Sequence, residues 1–120
     1  MAVRELDARP EPMASFPEDG TYRWLGLEDG NGPYGVAAIA PRAGYLELHL
    51  TVTRWGPGVR RVVARDLEWF KDEARRLELP KIMGVRADSE GRFDPNLFRF
   101  ARLFGFTETC VFQTASMNVD

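Results

Sequence analysis

Hydrophobic and polar positions alternate along Tyr45–Thr53, "YLELHLTVT", more strictly than anywhere else in the chain. Leu46, Leu48, Leu50 and Val52 fall on one side of an extended segment, and Tyr45, Glu47, His49 and Thr51 on the other. This two-residue period predicts a strand with one buried face. Thr21–Leu27 and Tyr34–Ala40 read as two earlier strands, joined by the turn-rich Glu28–Pro33, and Pro41–Gly44 turns the chain into the third. The three runs predict an antiparallel meander. After "RWGPG" (Arg54–Gly58) the period changes. Val59, Val63, Leu67, Phe70, Ala74 and Leu77 recur at three- and four-residue steps, which predicts an amphipathic helix. Arg61, Arg65, Glu68, Asp72 and Arg75 line its wet side, and Pro80 ends it.

Lys81–Ala87 is a short apolar run that reads as a strand, and Asp88–Phe93 reads as a loop. Asp94 stands where an N-cap belongs, with Pro95 at the first helical position. The helix so opened presents Leu97, Phe100, Ala101 and Phe104 inward and meets a natural stop at Gly105. Phe106–Met117 reads as a final strand. Met1–Gly20, rich in proline and charge, reads as an arm with at most one short helical turn, ahead of a single domain over residues 21–120. The predicted order is β-β-β-α-β-α-β. Its strand–helix–strand unit requires a parallel crossover, so the fold class is α+β with a mixed sheet.

Composition narrows the picture. A chain of 120 residues, 44% hydrophobic, suits one domain with one core. Its net charge of −2 argues against a general nucleic-acid or membrane-surface binder, and no apolar run approaches the ~20 residues that span a bilayer. The first twelve residues lack a signal peptide's apolar stretch. Cys110 is the single cysteine and His49 the single histidine, so neither an internal disulfide nor a zinc spacing can be built. The expected compartment is a reducing bacterial cytoplasm.

The order of these elements resembles the GNAT superfamily of N-acyltransferases over Thr21–Met117. Three stretches carry the likeness: "LHLTV" leading through a glycine-bearing turn into the long helix, "KIMGV" after it, and "FARLFGF" closing the late helix. The resemblance implies acetyl-CoA or another acyl-CoA as cofactor and an amine as acceptor. It implies that the turn and helix start hold the pyrophosphate, and that the pantetheine arm lies where the neighbouring strands splay. Transfer would be direct, with a base taking the amine proton and an acid protonating the thiolate. The family's turn has an Arg or Gln, then x-x-Gly-x-Gly or Ala. Here Gly58 falls on the first glycine and Arg60 on the second, and Pro57 takes the place before Gly58 where the commonest version has arginine. On the late helix the family's frequent Asn falls on Asp94, and its Tyr, the usual acid, on Ala101. The family's first two helices, which help bind the acceptor, are expected to be short or missing, because the proline-broken stretch before Thr21 is too small for both.

On this resemblance Val52, Thr53, Arg54, Gly58, Val59, Arg60 and Arg61 are the cofactor candidates. Glu47 and His49, two apart on one strand face, are the candidate bases; the same alternation also suits an ordinary solvated face. Arg54, Arg60, Arg61 and Arg65 can grip phosphates or simply coat a helix start. Trp55 can cover an adenine or pack in its loop, and Cys110 fits a buried, inert thiol. The alternative function is a non-catalytic structural or interaction module of the same fold, resembling bacteriophage particle components. It would dock on protein partners or on itself through the arm and the late helix, and would reside in the virion.

Overall fold

A computed structural model describes residues 3–85, 95–109, 115, 117 and 118. Among these residues five strands form one sheet in chain order: β1 (Val3–Leu6), β2 (Arg23–Asp29), β3 (Gly32–Arg42), β4 (Tyr45–Val52) and β5 (Ile82–Gly84). The first four pair antiparallel, and β5 joins β4 in parallel after the crossover helix α1 (Val59–Arg76). The fold is mixed α+β, as the periodicities predict. A second helix, α2 (Pro95–Leu103), belongs to a separate unit of the chain, Arg86–Asp120, distinct from Met1–Val85.

The arm differs from its sequence reading. A 3-10 turn at Glu11–Met13 is the short helical element expected, but Val3–Leu6 forms an edge strand. Only four residues long, this strand draws its register from partners: Val3 pairs with Leu27 and Leu6 with Trp24. β2 and β3 also run closer together than predicted, to a turn at Gly30–Asn31 where the Asn31 N–H donates to Asp29 Oδ1 at 2.8 Å. Of the last strand predicted over 106–117, residues 106–109 are not in a strand, while most of the remainder, with Cys110, lies outside the described residues. The Asp94 cap and the 88–93 loop lie outside them too.

Register sorts the side chains onto two faces. Leu25, Ala37, Leu27, Ile39, Leu46 and Leu48 are buried on one. Against this face α1 turns Val59, Val63, Leu67, Phe70 and Ala74, all buried. Each fully buried Leu, Val or Phe contributes about 1.5–3 kcal/mol. The opposite face carries a second cluster, in which Met13 of the arm packs with Trp24 and Ala38, and Leu6, Phe16, Tyr22 and Val36 close around it.

β3 carries one irregularity. Leu27 pairs with Gly35 and Glu28 with Pro33, so Tyr34 bulges from β3 without an opposite residue. The bulge sends its ring to the α1 side, where the buried hydroxyl donates to Asp66 Oδ2 at 2.8 Å. Gly35 beside it is required by close approach, because a Cβ there would stand 2.7 Å from the Thr51 carbonyl oxygen. Both helices end in a left-handed residue that turns the last amides back onto the helix. Around Gly105 (φ +89), Phe106 N–H reaches the Ala101 carbonyl at 3.1 Å. Around Glu78 (φ +60), Leu79 N–H reaches that of Ala74 at 2.8 Å.

Candidate active site

The period of two that buries Leu46 and Leu48 turns Glu47 and His49 toward the arm. Glu47 is only 12% exposed. Its Oε2 accepts from the Tyr22 hydroxyl at 2.7 Å and lies 2.7 Å from His49 Nε2. Its Oε1 accepts from Arg42 Nε at 3.0 Å. Burial pushes the Glu47 carboxyl up, but the bonds from Tyr22, His49 and Arg42 outweigh it and hold the carboxyl below its ordinary value. Tyr22 is pushed up, first by burial and then by its bond to Glu47. Glu47 is therefore a stabilised anion and a weak base. When a neutral His49 donates its Nε2–H to Glu47, Nδ1 becomes the basic atom of the ring. Phe16 meets the imidazole edge-on, with centroids 4.7 Å apart.

The β4–β5 ladder is short. Leu46 N–H donates to the Lys81 carbonyl at 2.8 Å, and Val85 N–H to the Leu48 carbonyl at 3.0 Å. The peptide groups of even-numbered β4 residues thus face β5. Those of Leu50 and Val52 continue the same edge, and among the described residues no β5 residue pairs with them. The β3 side is closed, since Thr53 and Arg54 N–H both donate to the Tyr34 carbonyl, at 2.8 and 3.2 Å.

At the end of this edge the chain turns into α1. Gly58 is the N-cap at φ +88, a left-handed conformation that glycine adopts without a Cβ penalty. Val59 is buried, and its N–H donates to the Gly56 carbonyl at 3.1 Å. No side chain caps the helix, and the Arg60 and Arg61 amides of the first turn have no intrahelical acceptor. They project at the positive end of the helix dipole. The four candidate cations separate here. Arg54 is tied to the β2–β3 hairpin, donating to Asp29 Oδ1 at 2.6 Å and the Gly32 carbonyl at 3.2 Å. Arg65 is tied to Asp66 Oδ1 at 3.0 Å and the Glu28 carbonyl at 3.2 Å. Arg60 and Arg61 are exposed and make no side-chain hydrogen bond or ion pair among the described residues. Trp55 stands 53% exposed in the same turn.

Tyr22, Arg42 and Phe16 were not predicted. They meet Glu47 and His49 only through strand register and the fold-back of the arm, which no local pattern encodes. Among the described residues, no cluster of three or more His, Cys, Asp and Glu side chains is placed to hold a metal, and no helix is long and apolar enough to cross a membrane.

No protein-family model matches the sequence, and no curated protein does. Solved structures do. The aminoglycoside acetyltransferase meta-AAC0020, from an uncultured soil metagenomic sample and solved with sisomicin, matches with a TM-score of 0.56 at 13% identity, over 94% of this chain and 77% of its own. The fold is GNAT-like. A probable acetyltransferase matches the GNAT-like chain at a TM-score of 0.54 and 12% identity, over 83% of this chain and 69% of its own. A transcriptional regulator from Bacillus halodurans C-125 matches at 0.56 and 14%, over 88% and 73%. At these identities the likeness is one of architecture, and the architecture itself is shared by an enzyme and a regulator.

Proposed function

We propose that this GNAT-like protein is an acyl-CoA-dependent N-acyltransferase, taking acetyl-CoA or another acyl-CoA and an amine acceptor. The observation that supports this most is the end of the described β4–β5 ladder at Leu48, with the edge groups of Leu50 and Val52 leading to the uncapped start of α1. Val52 is the last edge position for a pantetheine arm to pair with. The Gly58, Arg60 and Arg61 amides receive the pyrophosphate, with both guanidiniums adding charge, while Val59 anchors the turn. Thr53 and Arg54 frame the cleft, Arg54 through its hold on Asp29. Bound acetyl-CoA supplies an activated acyl group. His49 takes the amine proton on Nδ1, and Glu47 holds the ring and stabilises the imidazolium. Ala101 cannot act as the acid, and a thiol of pKa about 8.5 leaves without one.

The alternative, a non-catalytic module such as a bacteriophage particle component, is favoured by Ala101 and by Glu47, whose two oxygens are both engaged within the fold. Titrating acetyl-CoA while following thermal unfolding separates the two. Ligand at 100 times its Kd should stabilise by ~2.7 kcal/mol, and Arg60→Glu with Arg61→Glu should abolish the shift. No shift at millimolar ligand removes the transferase reading.

A further inference from the structure

We infer that Glu47 and the ring face of Tyr22 form a binding site for an organic cation, an alkylammonium or guanidinium group, and that Arg42 fills this site in the unliganded protein. The Arg42 guanidinium reaches Glu47 Oε1 through Nε at 3.0 Å and stands over the Tyr22 ring, 5.9 Å from its centroid. Its Nη2 lies 3.5 Å from the Tyr22 hydroxyl. A carboxylate beside an aromatic face is the chemistry that recognises organic cations.

The two oxygens of Glu47 are held differently. Oε2 is bound by Tyr22 and His49, whose rings pack against Phe16 and each other. Oε1 is bound by one long side chain, 38% exposed, at the end of β3 beside the Ala43–Gly44 turn. That contact is an ion pair open to solvent at one end, and such pairs are weak. An incoming cation can displace Arg42 without disturbing the ring cluster. The site so vacated offers Oε1 and the Tyr22 face, one charge and one π surface, which fits a primary or secondary ammonium better than a neutral amine. As the acceptor subsite of an acyltransferase it rests on the reading above. As a cation site it is measured without acyl-CoA, so either can fail alone.

The test is calorimetric titration of spermidine at low ionic strength into the full chain, its Arg42→Gln, Arg42→Lys and Glu47→Gln variants, and Arg42→Gln combined with Glu47→Gln. Removing the internal competitor should tighten binding about five-fold, the range of an exposed ion pair. Arg42→Lys, which keeps a competing cation, should bind like wild type, and in the Glu47→Gln background the removal of Arg42 should bring no gain over Glu47→Gln alone. Equal gains with and without Glu47 would mean that only overall charge changed, and would overturn the site; so would no gain in a folded Arg42→Gln. Should Arg42→Gln not fold, Tyr22 ring resonances of the wild type decide. They should shift with spermidine and stay still in Glu47→Gln, and unmoved resonances in the wild type overturn the site.

Discussion

Replacing Tyr34 with Phe tests whether the bulge in β3 is what fastens α1 to the sheet above the turn. The substitution removes a single oxygen atom. That oxygen lies in a residue with no exposure, and it donates to Asp66, which is 3% exposed. Burial first, and then the bond to Asp66, push the Tyr34 hydroxyl far above its ordinary value, so it stays a donor at any pH the fold survives. In Tyr34→Phe, Asp66 keeps Arg65 on Oδ1 but loses its partner on Oδ2. A hydrogen bond to a charged group is worth about 1.5–3 kcal/mol, and water cannot readily replace one in a site this buried. Unfolding entropy of about 2.1 cal/mol/K per residue gives ~0.25 kcal/mol/K for the whole chain. A loss of ~2 kcal/mol therefore lowers Tm by about 8 °C. Differential scanning calorimetry measures this directly. Combining Tyr34→Phe with Asp66→Asn should cost less than the sum of the two, because the partners share one bond. A Tyr34→Phe protein that melts within about 2 °C of wild type would refute the fastening role.

Two further outcomes follow from the ionic and backbone details. Glu73, buried on α1, is held down to about 2, chiefly by Arg76 and, against the opposing effect of burial, also by Arg23. Its folded value lies below the ordinary 4.5, so its stabilisation is complete above pH 4.5 and vanishes as pH falls through 2. Urea unfolding of Glu73→Gln and wild type should differ most at neutral pH and converge toward pH 2; a constant gap contradicts this. Glu78 closes α1 at φ +60, where a side chain costs about 1 kcal/mol that glycine does not. Glu78→Gly should raise Tm by about 4 °C while Glu78→Ala should not, and a fall in the glycine variant would disprove the strain.

The parts of the fold legible in the sequence were those fixed by local period. The alternation of β4 and the stripe of α1 each repeat often enough to be read, and Gly105 and Pro80 mark ends by backbone chemistry alone. β1 escaped because four residues, one of them leucine and two charged, carry no period; their register comes from β2. Asp66 and Glu73 were legible in principle, since each sits within the inward arc between apolar neighbours. Their charge argued for the wet side; beside the neighbours Arg65 and Arg76, the partners Tyr34 and Arg23, far away in sequence, satisfy them in the buried position. At the candidate site, Glu47 and His49 could be named from their spacing, and Gly58 from its place in the turn. That Arg54 grips the hairpin while Arg60 and Arg61 stay outside it depends on where Asp29 lies, which only the meander's geometry sets.

The arm bears on which side chain acts as base in the proposed transferase. Met13 and Phe16 cover the face of β2–β4 on which Glu47 and His49 lie, and the rings of Phe16 and Tyr22 flank the imidazole. A substrate amine cannot descend onto this face while the arm is packed. On the proposed reading the amine would enter past the half-exposed Arg42 at the hairpin end, or along the β4 edge, where no described β5 residue pairs beyond Leu48. Glu47 stands opposite Met83 within the paired stretch, whereas His49 is the first residue past the last paired position. Of Glu47 and His49, Glu47 carries the Arg42 guanidinium, and His49 lies nearer the edge where the proposed thioester would sit. The proposed transferase thus divides the dyad, assigning the histidine to the acyl donor's side and the carboxylate to the cationic end of the acceptor. A Glu47→Gln variant that kept full transferase activity with a cationic amine would contradict that division, because it removes both the orienting bond to His49 and the charge that receives the ammonium.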